Sequence, residues 1–277
     1  MGKFDGILIC TDLDGTLLRN DKSISAENHD AIEYFKREGG YFTFVTGRMH
    51  FTATMLYEMV KPNAPVGCIN GGGIYDYEKG KYLWSTTLPE DVKELVGAVY
   101  DAVPSAGIQM NTLDVIYFCR ENARMAKFRS FTGAPNIVGD YRTLDVPVAK
   151  VVFGADSEGE IVRIAEILRD HPRSAEFDYI RSERTLYEIL PKGASKGNLL
   201  PRLAEILGVD RSKTIAVGDY NNDVSMIKAA GVGIAVANAT EEAKAAADLV
   251  TVSNEEHAIA RVIEMIDGGK MVFKKIV

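Results

Sequence analysis

Two aspartates, two residues apart, follow the first apolar run of the chain. Residues 6–11 form a compact apolar stretch with no room for a helix, which predicts a buried strand that ends directly before Asp12. The carboxylates of Asp12 and Asp14 would repel each other there unless a cation lay between them. A hard dication such as Mg²⁺, which takes oxygen ligands, meets that need. A solvated acidic turn is the alternative, because Asp14-Gly15 is also common turn chemistry.

Two further segments suit a phosphate group. Thr46 and Gly47 follow the apolar run 41–45, where a hydroxyl and a backbone N–H at a helix start suit a phosphate oxygen, although a threonine there is often only a cap. Lys196 lies in the first turn of a predicted helix, where a cation opposes the helix dipole at a cost of about 0.3–1 kcal/mol. A bound anion would reverse this cost, whereas an exposed lysine screened by water is the alternative.

The segment 218–223 places two acids and two amides on one strand-to-helix turn. Asp219, Asn222 and Asp223 follow the apolar run 214–217 directly. This density of oxygen ligands indicates a metal site. The alternative is a loop that caps the next helix, for which Asp223 is also suited.

The elements predicted around these residues explain how they could meet. Short apolar strands alternate with amphipathic helices at both ends of the chain, which is typical of a parallel sheet with helices on its faces. The predicted strands are 6–11, 41–45, 66–69, 214–217 and 233–236, and the predicted helices are one capped by Ser25, then 51–60, 196–207, 223–230 and 241–247. Because an open parallel sheet binds ligands at the carboxyl ends of its strands, we expect the four segments to converge there.

The middle of the chain lacks this alternation. A hairpin is predicted from 107–111 and 115–119, a helix at 157–169, and strands at 148–153, 175–179 and 185–190. We therefore predict an α/β fold with a Rossmann-like parallel-sheet core built from residues 1–81 and 191–277. An α+β domain is inserted at residues 82–190.

Composition narrows the class of protein further. The 277 residues carry a net charge of -7, which argues against a nucleic-acid binder. No apolar run is long enough for a membrane span or a signal peptide. The three cysteines lack metal-site or disulfide spacing and fit free thiols in a reducing compartment, so a cytoplasmic location is expected.

In this order, the four segments strongly resemble the haloacid dehalogenase (HAD) superfamily of phosphatases, and in particular its Cof-type sugar-phosphatase branch. Asn-Gly-Gly at 70–72, Glu-Ile-Leu-Pro at 188–191 and Val-Ala-Asn-Ala at 236–239 are also similar to that branch. Ala237, and Glu-Glu-His at 255–257, depart from its usual pattern outside the four segments. The resemblance implies that the inserted domain is a cap that closes over a HAD-like core and selects the substrate.

The resemblance also implies a role for each residue. Asp12 would attack phosphorus, and Asp14 would protonate the leaving oxygen and then activate water. The implied ligands of Mg²⁺ are Asp12, the backbone carbonyl of Asp14, Asp219 and, partly through water, Asp223. The implied phosphoryl-binding groups are the backbone of Leu13, Thr46, Gly47, Lys196 and Asn222.

The expected function is Mg²⁺-dependent hydrolysis of small-molecule phosphomonoesters, with sugar phosphates as the expected substrates, through an aspartyl-phosphate. A phosphomutase or phosphotransferase on the same scaffold is an alternative. A non-catalytic binding protein is another, but it would be expected to lack one of the key residues, and Asp12, Asp14, Lys196 and Asp219 are all present. Arg120, Arg181 and Arg184 are either substrate contacts or exposed charges of the inserted domain, and no protein partner can be named.

Overall fold

A computed structural model describes residues 2–271 and residue 273. Its helices and strands, in chain order, are β1 (Leu8–Thr11), α1 (Ala26–Arg37), β2 (Tyr41–Phe44), α2 (His50–Val60), β3 (Val66–Cys68), β4 (Gly73–Asp76), β5 (Lys81–Ser85), α3 (Val92–Ala102), β6 (Gly107–Asn111), β7 (Ile116–Arg120), α4 (Ala123–Thr132), β8 (Asn136–Val138), β9 (Lys150–Gly154), α5 (Glu158–Asp170), β10 (Phe177–Glu183), β11 (Leu186–Pro191), α6 (Lys196–Leu207), β12 (Thr214–Gly218), α7 (Val224–Ala229), β13 (Val232–Ala235), α8 (Glu241–Ala246), β14 (Leu249–Val250) and α9 (Ala258–Asp267).

A five-stranded sheet of order β14-β13-β12-β1-β2 contains strands from both ends of the chain. All its pairings are parallel, and β1 lies between β2 and β12. Every residue of β1, β12 and β13 is buried, which is why these strands read as continuous apolar runs. The predicted α/β fold with a parallel-sheet core is confirmed.

Serine side chains cap the starts of α1 and α6. The Ser25 side chain accepts a hydrogen bond from the backbone N–H of Asn28 at the start of α1, and Ile32 and Phe35 of that helix are buried. Ser195 caps α6 in the same way through the N–H of Asn198. Because Ser195 fixes the first turn of α6, it also fixes the starting point of the Lys196 side chain.

The prediction that residues 66–69 form a further strand of the parallel sheet is wrong. β3 pairs with β4 in antiparallel register, in a separate sheet of order β3-β4-β5. A single parallel bridge joins Gly67 to Val45 next to β2. The chain reverses immediately after β3 through a 3-10 turn at Ile69–Gly71, and this reversal pairs β3 with β4.

Contacts divide the described chain into two compact units. One unit comprises the described parts of Met1–Gly47, Thr54–Trp84 and Ser195–Val277, and the other comprises Arg48–Ala53 and Ser85–Ala194. The predicted boundaries at 82 and 191 did not anticipate that residues 48–53 group with the second unit. Among the described residues, no helix has both the length and the apolar character needed to cross a membrane.

The second unit is built on a six-stranded sheet of order β10-β11-β9-β6-β7-β8. Its pairings are antiparallel except for β7 with β8, and β6 and β7 form the predicted hairpin. The apolar faces of α3 and α5 pack on this sheet in one core that includes Leu95, Val99, Ile164 and Phe153. Helices α3 and α4 had not been predicted.

Candidate active site

A buried lysine lies between two aspartates beyond the carboxyl ends of β1 and β12. The Lys196 Nζ donates to Oδ1 of Asp12 at 2.6 Å and to Oδ1 of Asp223 at 2.5 Å. The side chain of Lys196 is 0% exposed, so water does not screen its charge and the exposed-lysine alternative is wrong. The unfavourable interaction of the Lys196 charge with the helix dipole is offset by the carboxylates of Asp12 and Asp223.

Asp223 organises the loop between β12 and α7. Its Oδ2 accepts hydrogen bonds from the backbone N–H groups of Asp219 and Tyr220, both at 3.0 Å. A Cβ added to Gly218 would lie 2.4 Å from Cβ of Asp223, so β12 must end in glycine for this loop to close. With Lys196 on its other oxygen, Asp223 serves mainly to hold the loop and the lysine.

Three carboxylates form a cluster that suits a metal ion. Asp12, Asp219 and Asp223 each offer an oxygen, and these atoms lie within 4.8 Å of one another. Asp219 is fixed by the Thr16 hydroxyl, which donates to its Oδ1 at 2.8 Å. Carboxylate oxygens in this number and spacing fit a hard dication such as Mg²⁺. Among the described residues, the side chain of Asp14 is not part of this cluster.

The charges of the cluster do not balance. Burial raises the pKa of Asp12 well above its usual value; Lys196 opposes this shift, while Asp223 and Asp219 reinforce it. Burial and the neighbouring Asp223 raise the pKa of Asp219 to about 6. Burial alone would lower the pKa of Lys196, but Asp12 and Asp223 outweigh it and raise that pKa. The lysine therefore stays charged, and the excess negative charge is what a bound dication would neutralise.

Three of the groups predicted to bind phosphate, Thr46, Gly47 and Asn222, meet around Asn70. Nδ2 of Asn222 donates to Oδ1 of Asn70 at 3.1 Å, and the backbone N–H of Asn70 donates to the Thr46 carbonyl at 3.1 Å. A Cβ added to Gly47 would lie 2.9 Å from the amide of Asn70. The sequence pattern gave Asn70 no role beyond family resemblance, although an asparagine-glycine pair directly after a strand was a usable signal.

Leu13 and Asp14 lie on the turn that leaves β1. The Leu13 side chain is fully buried, and its carbonyl accepts hydrogen bonds from the N–H groups of Thr16 and Leu18. Lys22, to which the sequence assigned no role, donates to Oδ1 of Asp14 at 2.9 Å. The turn therefore holds the backbone at Leu13, and Lys22 forms an exposed ion pair with the Asp14 carboxylate.

The three arginines considered as substrate contacts have partners within the second unit. Arg181 and Arg184 both donate to the carboxylate of Glu158, at 2.6 and 2.7 Å. Arg120 donates to the carbonyls of Val103 and Tyr100, at 2.9 and 2.6 Å. Each of the three arginines therefore has a hydrogen-bond partner within its own unit.

Comparison with known proteins gives the family. A sequence model of the haloacid dehalogenase-like hydrolases matches residues 9–263. The chain is 30% identical over 291 residues to the 5-amino-6-(5-phospho-D-ribitylamino)uracil phosphatase YwtE of Bacillus subtilis, covering 95% of this chain and 98% of that protein. It is 27% identical over 266 residues to the pyridoxal phosphate phosphatase YbhA of Escherichia coli, covering 92% and 97% of the two chains. The crystal structure of a haloacid dehalogenase-like hydrolase from Bacteroides thetaiotaomicron superposes with a TM-score of 0.82 at 28% identity, over 94% of this chain and 99% of that one.

Proposed function

The chain belongs to the haloacid dehalogenase-like hydrolases, as its four segments predicted, and is an enzyme of their phosphatase class; we propose that it hydrolyses small-molecule phosphomonoesters with Mg²⁺ through an aspartyl-phosphate on Asp12. The observation that carries this proposal is the fully buried Lys196 ion-paired to Asp12 within the three-carboxylate cluster. The two relatives are named for a phosphorylated ribityl compound and for pyridoxal phosphate. Both names describe small organic phosphates, and the ribityl chain supports a sugar-like substrate.

Asp12 is the proposed nucleophile because its carboxylate is oriented by a hydrogen bond and is still partly accessible to solvent. The Lys196 ammonium orients one oxygen at 2.6 Å, and the Asp12 side chain is 11% exposed, whereas that of Asp223 is 0% exposed. An Asp12 oxygen bonds to phosphorus as the bond from phosphorus to the ester oxygen breaks. Asp14 gives its proton to the departing oxygen, which leaves as an alcohol.

The second half of the reaction uses the same two aspartates. The Asp14 carboxylate, now deprotonated, takes a proton from a water molecule, whose oxygen attacks phosphorus. The bond from phosphorus to Asp12 breaks, inorganic phosphate leaves, and both side chains return to their starting states. The Lys22 ammonium lies 2.9 Å from Oδ1 of Asp14, where its charge favours the deprotonated carboxylate that takes the proton from water.

The proposed Mg²⁺ ligands are Asp12, Asp219 and the backbone carbonyl of Asp14, with Asp223 in support. When bound, the metal supplies the positive charge that the cluster lacks and draws electron density from the phosphoryl group. The proposed phosphoryl-binding groups are Thr46, Gly47, Lys196, Asn222 and the Leu13 backbone. The three free cysteines support a proposed location in a reducing compartment, the cytoplasm.

The experiment is an assay of phosphate release from a broad panel of phosphomonoesters, with Mg²⁺ or with a chelator. We expect metal-dependent turnover that Asp12→Asn abolishes and that a control, Asp76→Asn, retains. Asp76 is an aspartate of the same unit whose partner is the exposed Lys79. Release that is equal with and without metal, or that survives Asp12→Asn, would refute the proposal. Isomerised product without phosphate release would indicate a mutase.

A further inference from the structure

The turn at Ile69–Gly71 has an unusual backbone. Ile69 has a φ of 61° and Asn70 a φ of 51°, both left-handed, and Gly71 follows with a φ of 99°. The left-handed conformation is unfavourable for a non-glycine residue and persists only where the surroundings enforce it. For a β-branched residue such as Ile69 it is a true outlier. Both side chains are buried, so the turn is enforced by packing.

This turn contacts the predicted phosphate-binding groups on one side. The Asn70 carboxamide accepts from Nδ2 of Asn222, and its backbone N–H donates to the Thr46 carbonyl, each at 3.1 Å. Gly47 packs against the same carboxamide so closely that a Cβ would lie 2.9 Å away. Asn70 therefore joins the segment that follows β2 to the segment that follows β12.

The same turn contacts the start of α6 on its other side. A Cβ added to Gly71 would lie 2.1 Å from the carbonyl oxygen of Ser195, the residue that caps α6. Lys196 follows Ser195 directly, so the packing of Gly71 sets how near the first turn of α6 approaches. A turn that only reversed the chain between β3 and β4 would need neither the left-handed isoleucine nor the asparagine amide, since glycines adopt this backbone freely.

We propose that Asn70 is a positioning residue of the phosphatase, which fixes the carboxamide of Asn222 and the spacing of the Thr46 and Lys196 segments. An amide nitrogen carries two hydrogens. When Asn70 accepts one of them, the plane of the Asn222 amide is set and the second hydrogen is directed to a phosphoryl oxygen. This inference rests on the proposed function and adds a residue to it.

Two substitutions distinguish the effect of the Asn70 amide from the effect of the strained backbone. Asn70→Gly and Asn70→Ala both remove the carboxamide, but only glycine relieves the strain, so the alanine variant should be the less stable in urea. We expect both variants to lower kcat about tenfold, the factor that corresponds to ~1.4 kcal/mol. KM should change much less than kcat. Orthovanadate, which resembles the phosphoryl group in transit, should inhibit both variants about tenfold more weakly.

A double-mutant cycle tests whether Asn70 acts through Asn222. Once Asn222→Ala is present, Asn70→Gly should cause little further loss of kcat, because the partner it positions is gone. Asn63→Ala is the matched control. Asn63 also bridges two segments of the same unit, through the backbone of Phe42 and Gly40, and its loss should lower stability but not vanadate inhibition.

The outcomes are distinct. Wild-type kcat and vanadate inhibition in Asn70→Gly, or fully additive losses with Asn222→Ala, would overturn the positioning role while leaving the proposed function intact. If the wild-type enzyme loaded with Mg²⁺ released no phosphate from any ester, the proposed function would fail, and the positioning role with it.

Discussion

Replacing Asp219 by asparagine should stabilise the metal-free protein, although Asp219 is a proposed metal ligand. Burial and Asp223 raise the pKa of Asp219 from 3.8 to about 6. Above that pH the Asp219 side chain is ionised in the folded state, although ionisation is less favourable there than in the unfolded chain. This change in pKa corresponds to a free energy of at most about 3 kcal/mol. Asparagine keeps the shape and can still accept from the Thr16 hydroxyl, so the variant should gain up to this amount.

The pH dependence gives the sign of the effect. Because the folded state binds this proton more tightly than the unfolded chain, the contribution of Asp219 to stability falls as the pH rises from about 4 to about 6. Urea unfolding with chelator present should therefore show a larger gain for Asp219→Asn at pH 8 than at pH 5. With Mg²⁺ added, the wild type should gain stability through binding, whereas the variant should not.

Asp76→Asn is a control that should change the free energy of unfolding in the opposite direction. Partial burial opposes the shift, but hydrogen bonds from Lys79 lower the pKa of Asp76, so its carboxylate stabilises the fold above the unfolded pKa and its loss should destabilise. If Asp219→Asn were less stable than the wild type in chelator at pH 8, the reasoning on the crowded carboxylates would be refuted. An equal effect at pH 5 and pH 8 would refute it too.

Three further results are expected. Gly15→Ala should weaken Mg²⁺ binding in calorimetry, because Gly15 has a φ of 86° and a Cβ would lie 2.6 Å from Asp219; an unchanged affinity would contradict this. Lys22→Ala, which removes the ion pair with the Asp14 carboxylate, should slow turnover of alkyl phosphates more than of p-nitrophenyl phosphate, because the leaving group of the latter needs no proton; equal losses would point to a merely structural role. Burial raises the pKa of the Cys10 thiol to about 12, so mass spectrometry should find Cys10 alkylated at pH 8 only after unfolding, and rapid native labelling would count against it.

The sequence predicted most where local and long-range rules agree. Continuous apolar runs marked β1 and β12 because both strands are buried on both faces, and Ser25 and Ser195 marked helix starts because their side chains cap them. The convergence of Asp12 and Asp219 followed from the single rule that parallel strands end at the same edge.

The sequence predicted least where a contact between distant residues decides the conformation. Local rules predicted that Lys196 opposes the helix dipole. Only the fold shows that Lys196 is buried and that Asp12 and Asp223 form ion pairs with it. The left-handed backbone of Asn70 is enforced by packing that no local propensity encodes. The apolar residues of α3 at 92, 95, 96 and 99 have helical spacing and could have been identified, whereas most of the described side chains of α4 are exposed and give no such signal.

The most direct test of the account is chemical trapping of the phosphorylated residue. We would mix Asp14→Asn with p-nitrophenyl phosphate and Mg²⁺, quench in acid, reduce with borohydride and map the peptides by mass spectrometry. An acyl phosphate on Asp12 would be reduced to homoserine at that position, and loss of the base should make it accumulate. Homoserine at position 12 that appears only with substrate is the predicted result. A phosphorylated or reduced residue elsewhere, or phosphate release by the wild type with no modification at Asp12 in either protein, would contradict the account.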